Sequence, residues 1–137
     1  MKKYFHPFAF VLIFISVVAL SSCKHDTLED RAEKEAKAFT ERYCPTPVQN
    51  MQRTDSVTFD RSTLTFNYYY RFTGAADDSQ AVNKMQSRIK EALRNELISN
   101  TGSKAYKDKG YNFHYVIHSE KTKEVLYEVT FTPKDYK

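Results

Sequence analysis

The chain has 137 residues, 41% of them hydrophobic and 28% charged, with ten Tyr, ten Phe and no Trp. Its formal net charge is +4, but lysines and acids alternate in sign along the chain, which describes solvated faces and excludes a nucleic-acid-binding surface. Two cysteines cannot build a disulfide framework, so stability must come from one core, which this length suffices to bury.

The first element is "MKKYFHPFAFVLIFISVVALSSC". Lys2 and Lys3 form a positive n-region, and Phe8 to Leu20 is an apolar run of 13 residues broken only by Ser16. As a helix that run is roughly 20 Å long, too short for a hydrocarbon core of about 30 Å. A cleaved signal peptide is therefore expected rather than a transmembrane helix. Leu20, Ser21 and Ser22 stand directly before Cys23, which resembles the bacterial lipobox. The resemblance implies cleavage between Ser22 and Cys23, diacylation of the Cys23 thiol and a mature N-terminus there. Lys2 and Lys3 leave with the signal, lowering the net charge to +2. Two or more acyl chains give stable attachment where one gives marginal binding. The membrane, reached through Cys23, is thus the first expected partner. Lys24 is not the aspartate associated with inner-membrane retention, and "CKHDTLED" resembles the start of Bacteroidetes surface lipoproteins, so the outer membrane is favoured, on either face. The expected division is a signal over 1–22, a tether over 23–26 and a single domain over 27–137.

"DTLEDRAEKEAKAFTERYC" follows as a helix. Asp26 with Glu29 offers a D-x-x-E capping box. Leu28, Ala32, Ala36, Phe39 and Tyr43 recur on one face, and Pro45 and Pro47 end the helix. With Cys23 acylated, Cys44 is the one remaining thiol, read as a half-buried residue at the helix end.

"RTDSVTFD" and "STLTFNYYYRFTG" read as two strands joined at "DRS". Leu64, Phe66, Tyr68, Tyr70 and Phe72 share one face, Thr65, Asn67, Tyr69 and Arg71 the other, a strict period of two. Tyr68 and Tyr70 are assigned to the core, and Asp55 is expected to pair with Arg53. "DDSQAVNKMQSRIKEALRNELISNTG" is the second helix: Asp77 and Asp78 are read as cap residues, Val82, Met85, Ile89, Leu93 and Leu97 as the buried stripe, and Gly102 as the left-handed C-terminal residue. "SKAYKDKG" makes a turn or helical stub closed by Gly110. A final hairpin turns at "EKTK", with Tyr111, Phe113, Tyr115 and Ile117 facing the core beside Val125, Tyr127, Val129 and Phe131. The order α-β-β-α-β-β predicts an α+β domain: an antiparallel four-stranded sheet with its helices packed on one face. The other face, carrying Asn67, Tyr69, Arg71, His114, His118 and Glu128, is expected to be wet.

From Met51 onward the motifs "QRTDSV", "LTFNYYY", "IKEALRNEL", "KDKG", "NFHYV" and "TFTPKDY" occur in an order that resembles a family of small exported bacterial lipoproteins of unknown function, Bacteroidetes-type in character. The resemblance implies a fold and an address but no activity. Extra cysteines of some relatives are missing here, so no disulfide is carried over.

No chemistry emerges from the motifs. His114 and His118 share a strand face but lie about 13 Å apart along it, too far to chelate one zinc. No G-x-S-x-G elbow or glycine-rich phosphate loop is present. No metal, cofactor or catalytic residue is expected. The expected role is a lipid-anchored, non-enzymatic binding or adaptor module, with an envelope protein as partner and Tyr69, Arg71, His114 and Glu128 as the binding face. The alternative is a small periplasmic inhibitor or protective protein that captures an exported enzyme.

Overall fold

The computed structural model describes residues 25–137. The expected signal segment, the Ser22–Cys23 cleavage site and residues 23 and 24 of the tether lie outside the described residues. The elements run α1 (Leu28–Tyr43), β1 (Gln52–Asp60), β2 (Thr65–Phe72), a 3-10 turn (Gly74–Ala76), α2 (Ser79–Ser99), α3 (Lys104–Asp108), β3 (Asn112–Ser119), β4 (Val125–Phe131) and α4 (Pro133–Tyr136). The expected α+β architecture and element order are present.

The sheet has the order β1-β2-β3-β4 and is mixed. β1 with β2, and β3 with β4, pair antiparallel, but β2 and β3 run parallel. The expectation of an antiparallel sheet is corrected at this one junction. At 1.5 Å per residue, the 21 residues of α2 cover about 31 Å, enough to carry the chain back to the start of β2. A strand returned by a helical crossover enters parallel to its predecessor.

α1 begins one residue later than its sequence signal suggested. Thr27 is the N-cap: its hydroxyl accepts from the Asp30 N–H at 3.1 Å, and the Asp30 carboxylate accepts from the Thr27 N–H at 3.0 Å. Asp26 instead pairs with Lys34 at 2.6 Å. Arg61, bonded to both Asp30 and Glu33, ties this first turn to the β1–β2 turn. At α2 only Asp78 caps, accepting from the N–H groups of Gln80 and Ala81. Asp77 turns inward and accepts from the Lys121 N–H at 2.9 Å, stitching the start of α2 to the β3–β4 turn.

The core joins Ala32 and Ala36 of α1 to Leu93 and Leu97 of α2, Tyr106, and the inward rows Val57, Phe66, Tyr70, Phe113, Tyr115, Ile117 and Phe131. Several expected core positions are open instead. Phe39 and Tyr43 are 39% and 59% exposed: α1 seats on β1 through Ala32, Ala36 and Thr40, and Phe39 turns toward the gap between the helices. Met85 is exposed because α2 lies over the outer strand β4, with sheet beneath only part of its stripe. Val125 is exposed because a register shift pairs it with outward His118 while Ile117 pairs with Tyr127. Gly102 is not left-handed: α2 ends through Asn100, whose side-chain oxygen accepts the Gly102 N–H, and the positive φ falls at Gly74 and Gly110. Leu64 precedes β2 and closes the β1–β2 turn at φ 52° while still packing on the core.

Candidate functional site

The outward sheet face assembles as two patches around a buried valine. Register places Asn67 beside His114, Tyr69 beside Val116, and Val116 beside Glu128. His114 Nδ1 lies 2.9 Å from Asn67 Oδ1, and Nε2 lies 3.5 Å from Glu128 Oε2. With Nδ1–H donating to the amide oxygen, a second proton on Nε2 would complete an ion pair with Glu128. Val116 is 5% exposed although it faces away from the helices, so the face is less wet than its polar residues suggested.

Arg71 belongs to the second patch. A register shift between Thr54 and Ser56 pushes Asp55 onto this face. There Asp55 accepts from Arg53 Nε at 2.8 Å, the expected pair, and from Arg71 Nε at 2.6 Å. Both guanidinium groups also reach Glu120 at 3.4 Å. Exposed Lys123 also approaches Glu120 at 3.9 Å, so three cations meet two carboxylates, and both carboxylates are engaged within the cluster. Of the four residues read as a binding face, only His114 and Glu128 come together; Tyr69 stands beside Val116 with its ring 6.4 Å from that of His118 by centroids, and Arg71 is held by Asp55.

The opposite side of the sheet carries a feature the sequence reading missed. α1 packs on β1 and α2 on β4, so neither helix lies directly over β2. The gap is an open groove of about 470 Å³. Its floor is Phe66, Tyr68 and Tyr70 of β2; Ala36 and Phe39 form one wall, and Glu96 and Asn100 the other. The Tyr68 ring stacks on Tyr115 with centroids 4.9 Å apart. Burial, reinforced by the negative charges of Glu96 and Glu35, pushes the Tyr68 phenol up to about 12. Tyr70 and Tyr115 are pushed up further, again chiefly by burial. Glu35 is engaged, accepting from the Tyr106 hydroxyl at 2.6 Å and pairing with Arg31 at 3.5 Å. The legible signal was the pair of alanines in the α1 stripe, too small to cover the alternating tyrosines of β2.

Neither face holds a reactive constellation among the described residues. Burial and the nearby Asp55 charge push the Cys44 thiol up, the opposite of thiolate activation. No group of three or more His, Cys, Asp or Glu could hold a metal ion, and no helix is long and apolar enough to cross a membrane, both among the described residues.

Residues 27–127 match the model of a domain of unknown function (DUF8479). The chain belongs to that family. No curated protein matches it in sequence. Among solved structures, a Pseudomonas aeruginosa protein described as secreted is 13% identical, superposes with a TM-score of 0.63, and is covered over 100% of its length by 82% of this chain. The type 2 secretion pilotin EpsS of Vibrio vulnificus is 9% identical, with a TM-score of 0.61, over 80% of this chain and 91% of its own. The type II secretion system pilotin AspS of Vibrio cholerae is 12% identical, with a TM-score of 0.55, over 78% and 90%. At these identities the similarity is one of fold, and it spans nearly the whole of each neighbour.

Proposed function

We propose that this chain is a lipid-anchored, non-enzymatic adaptor of the bacterial envelope, tied by acyl chains on Cys23 to the outer membrane and binding an envelope protein. The observation that carries the reading is the juxtaposition of residues 20–23, which resemble a lipobox, with a domain that begins at Thr27 and offers an aromatic-lined groove. That two neighbours of the same fold are secretion-system pilotins supports an adaptor role over a catalytic one. The interval from Cys23 to the cap spans about four residues, a reach of roughly 14 Å, so the domain would sit against its bilayer.

The test is mass spectrometry of the protein isolated from its own envelope, with fractionation of a Cys23→Ser variant. An N-terminal acylated residue 23 and release of the variant from membranes are the expected results. An unmodified thiol, or a different mature N-terminus, overturns the reading. Pull-down with a Tyr69→Ala/Arg71→Ala variant then tests the outward sheet face; an unchanged partner set removes that face from the proposal.

A further inference from the structure

We propose that the groove between α1 and α2 is a docking site for a basic amphipathic segment of the partner protein, with a lysine or arginine of that segment seated between Tyr68, Tyr70 and Glu96. The inference deepens the adaptor reading and rests on it. Three observations select this occupant. First, every charged side chain lining the groove is acidic, although the whole chain is net positive. Of those acids, Glu35 is already satisfied by Tyr106 and Arg31, whereas Glu96 enters no ion pair among the described residues. Glu96 is thus the carboxylate available to an incoming cation. Second, the floor presents the half-buried Tyr68 ring, one face of which stacks on Tyr115, beside Tyr70 at 8% exposure, and aromatic faces attract cations within about 6 Å of the ring centroid. The phenols stay neutral at physiological pH, so they add no competing charge and can also hydrogen-bond.

Third, the apolar surface does not stop at the groove. Phe39 forms one wall and is 39% exposed, and Tyr43, one turn further along α1, lies 5.4 Å from it by ring centroids. A small amine would fill the hollow and leave these two rings in water. A helical segment places apolar residues along one stripe with a basic residue beside them, and covers both. The volume of about 470 Å³ leaves room for several side chains rather than one. An anionic lipid headgroup is disfavoured by the same acidic lining.

The test uses the mature protein acylated at residue 23 in phosphatidylcholine nanodiscs, with empty discs as blank, and a fluorescent amphipathic peptide of Leu, Ala and Lys as probe. A counterpart peptide carries Glu in place of Lys. Saturable binding of the Lys peptide, absent for the Glu peptide, is expected. Glu96→Gln should weaken it about tenfold, the scale of one charge-assisted hydrogen bond. Phe39→Ala, at an exposed position that leaves the core intact, should weaken it by a similar factor. No binding, equal binding of the two peptides, or affinity unchanged in both variants overturns the proposal. Because the probe replaces the native partner and Cys23 is not altered, failure here leaves the anchored-adaptor reading standing. Conversely, an unacylated residue 23 would end that reading without changing the peptide result.

Discussion

Thr40→Val tests how α1 is fastened to the sheet. β1 is an outer strand, and an outer strand leaves backbone groups without ladder partners. The Thr40 hydroxyl closes this edge at Val57, donating to the Val57 carbonyl at 2.7 Å and accepting from the Val57 N–H at 2.8 Å. Val57 is 6% exposed, so water cannot fully replace either bond. Valine matches threonine in shape but supplies neither donor nor acceptor. Losing one net hydrogen bond costs about 1 kcal/mol, and leaving a buried backbone group unpaired adds about as much. A loss of about 2 kcal/mol is expected, or roughly 8 °C in Tm at about 4 °C per kcal/mol for a domain of this size. Urea and thermal unfolding followed by circular dichroism, with Thr40→Ser beside Thr40→Val, provide the assay. Serine keeps the hydroxyl and should recover most of the loss. If valine unfolds at the parent midpoint, or serine fails as badly as valine, the hydroxyl does not hold the edge and α1 owes its position to packing alone.

Asp55→Asn should cost about 2 kcal/mol, since it removes the charge that two half-buried guanidinium groups share. Glu120→Gln, at 3.4 Å and 39% exposed, should cost less than about 0.5 kcal/mol; urea midpoints decide, and equal losses would contradict this ranking. Stability should also fall in acid. Asp30 is held down to about 2, first by its hydrogen bond from Arg61 and then by the Thr27 cap, against an ordinary 3.8. The unfolded chain therefore binds the proton more readily, and stability present above about pH 4 is lost as pH falls through about 2. Asp30→Asn should flatten that part of the profile. At the alkaline end, Tyr68 and Tyr111 are raised from 10.0 to about 12, chiefly by burial, so stability present below pH 10 should be lost as pH rises through 12. Ultraviolet titration of tyrosinate alongside unfolding checks this, and release of all tyrosine protons near pH 10 in the folded chain would refute it.

The sequence by itself determined the elements that depend on neighbours in the chain. The period of two through Phe66, Tyr68 and Tyr70 defines β2, the helical stripe ending in Leu93 and Leu97 defines α2, and "SKAYKDKG" gives the short α3 closed by Gly110 at φ 82°. The Arg53–Asp55 pair was legible for the same reason, since both residues lie on one strand. The small helix α4 was also within reach: Thr132 and Asp135 form a capping box around Pro133.

Only the tertiary structure decided which surfaces meet. The parallel β2–β3 pairing follows from where a long helix returns the chain, and Arg71 is drawn to Asp55 by a register shift that no local period encodes. The groove depends on two helices seating over the outer strands and leaving β2 with no helix packed directly on it. Periodicity says which residues share a face. The distance between elements that share a sheet is set by side-chain volume at their contacts, here two alanines of α1, and which side chains meet there is decided only once the chain has folded.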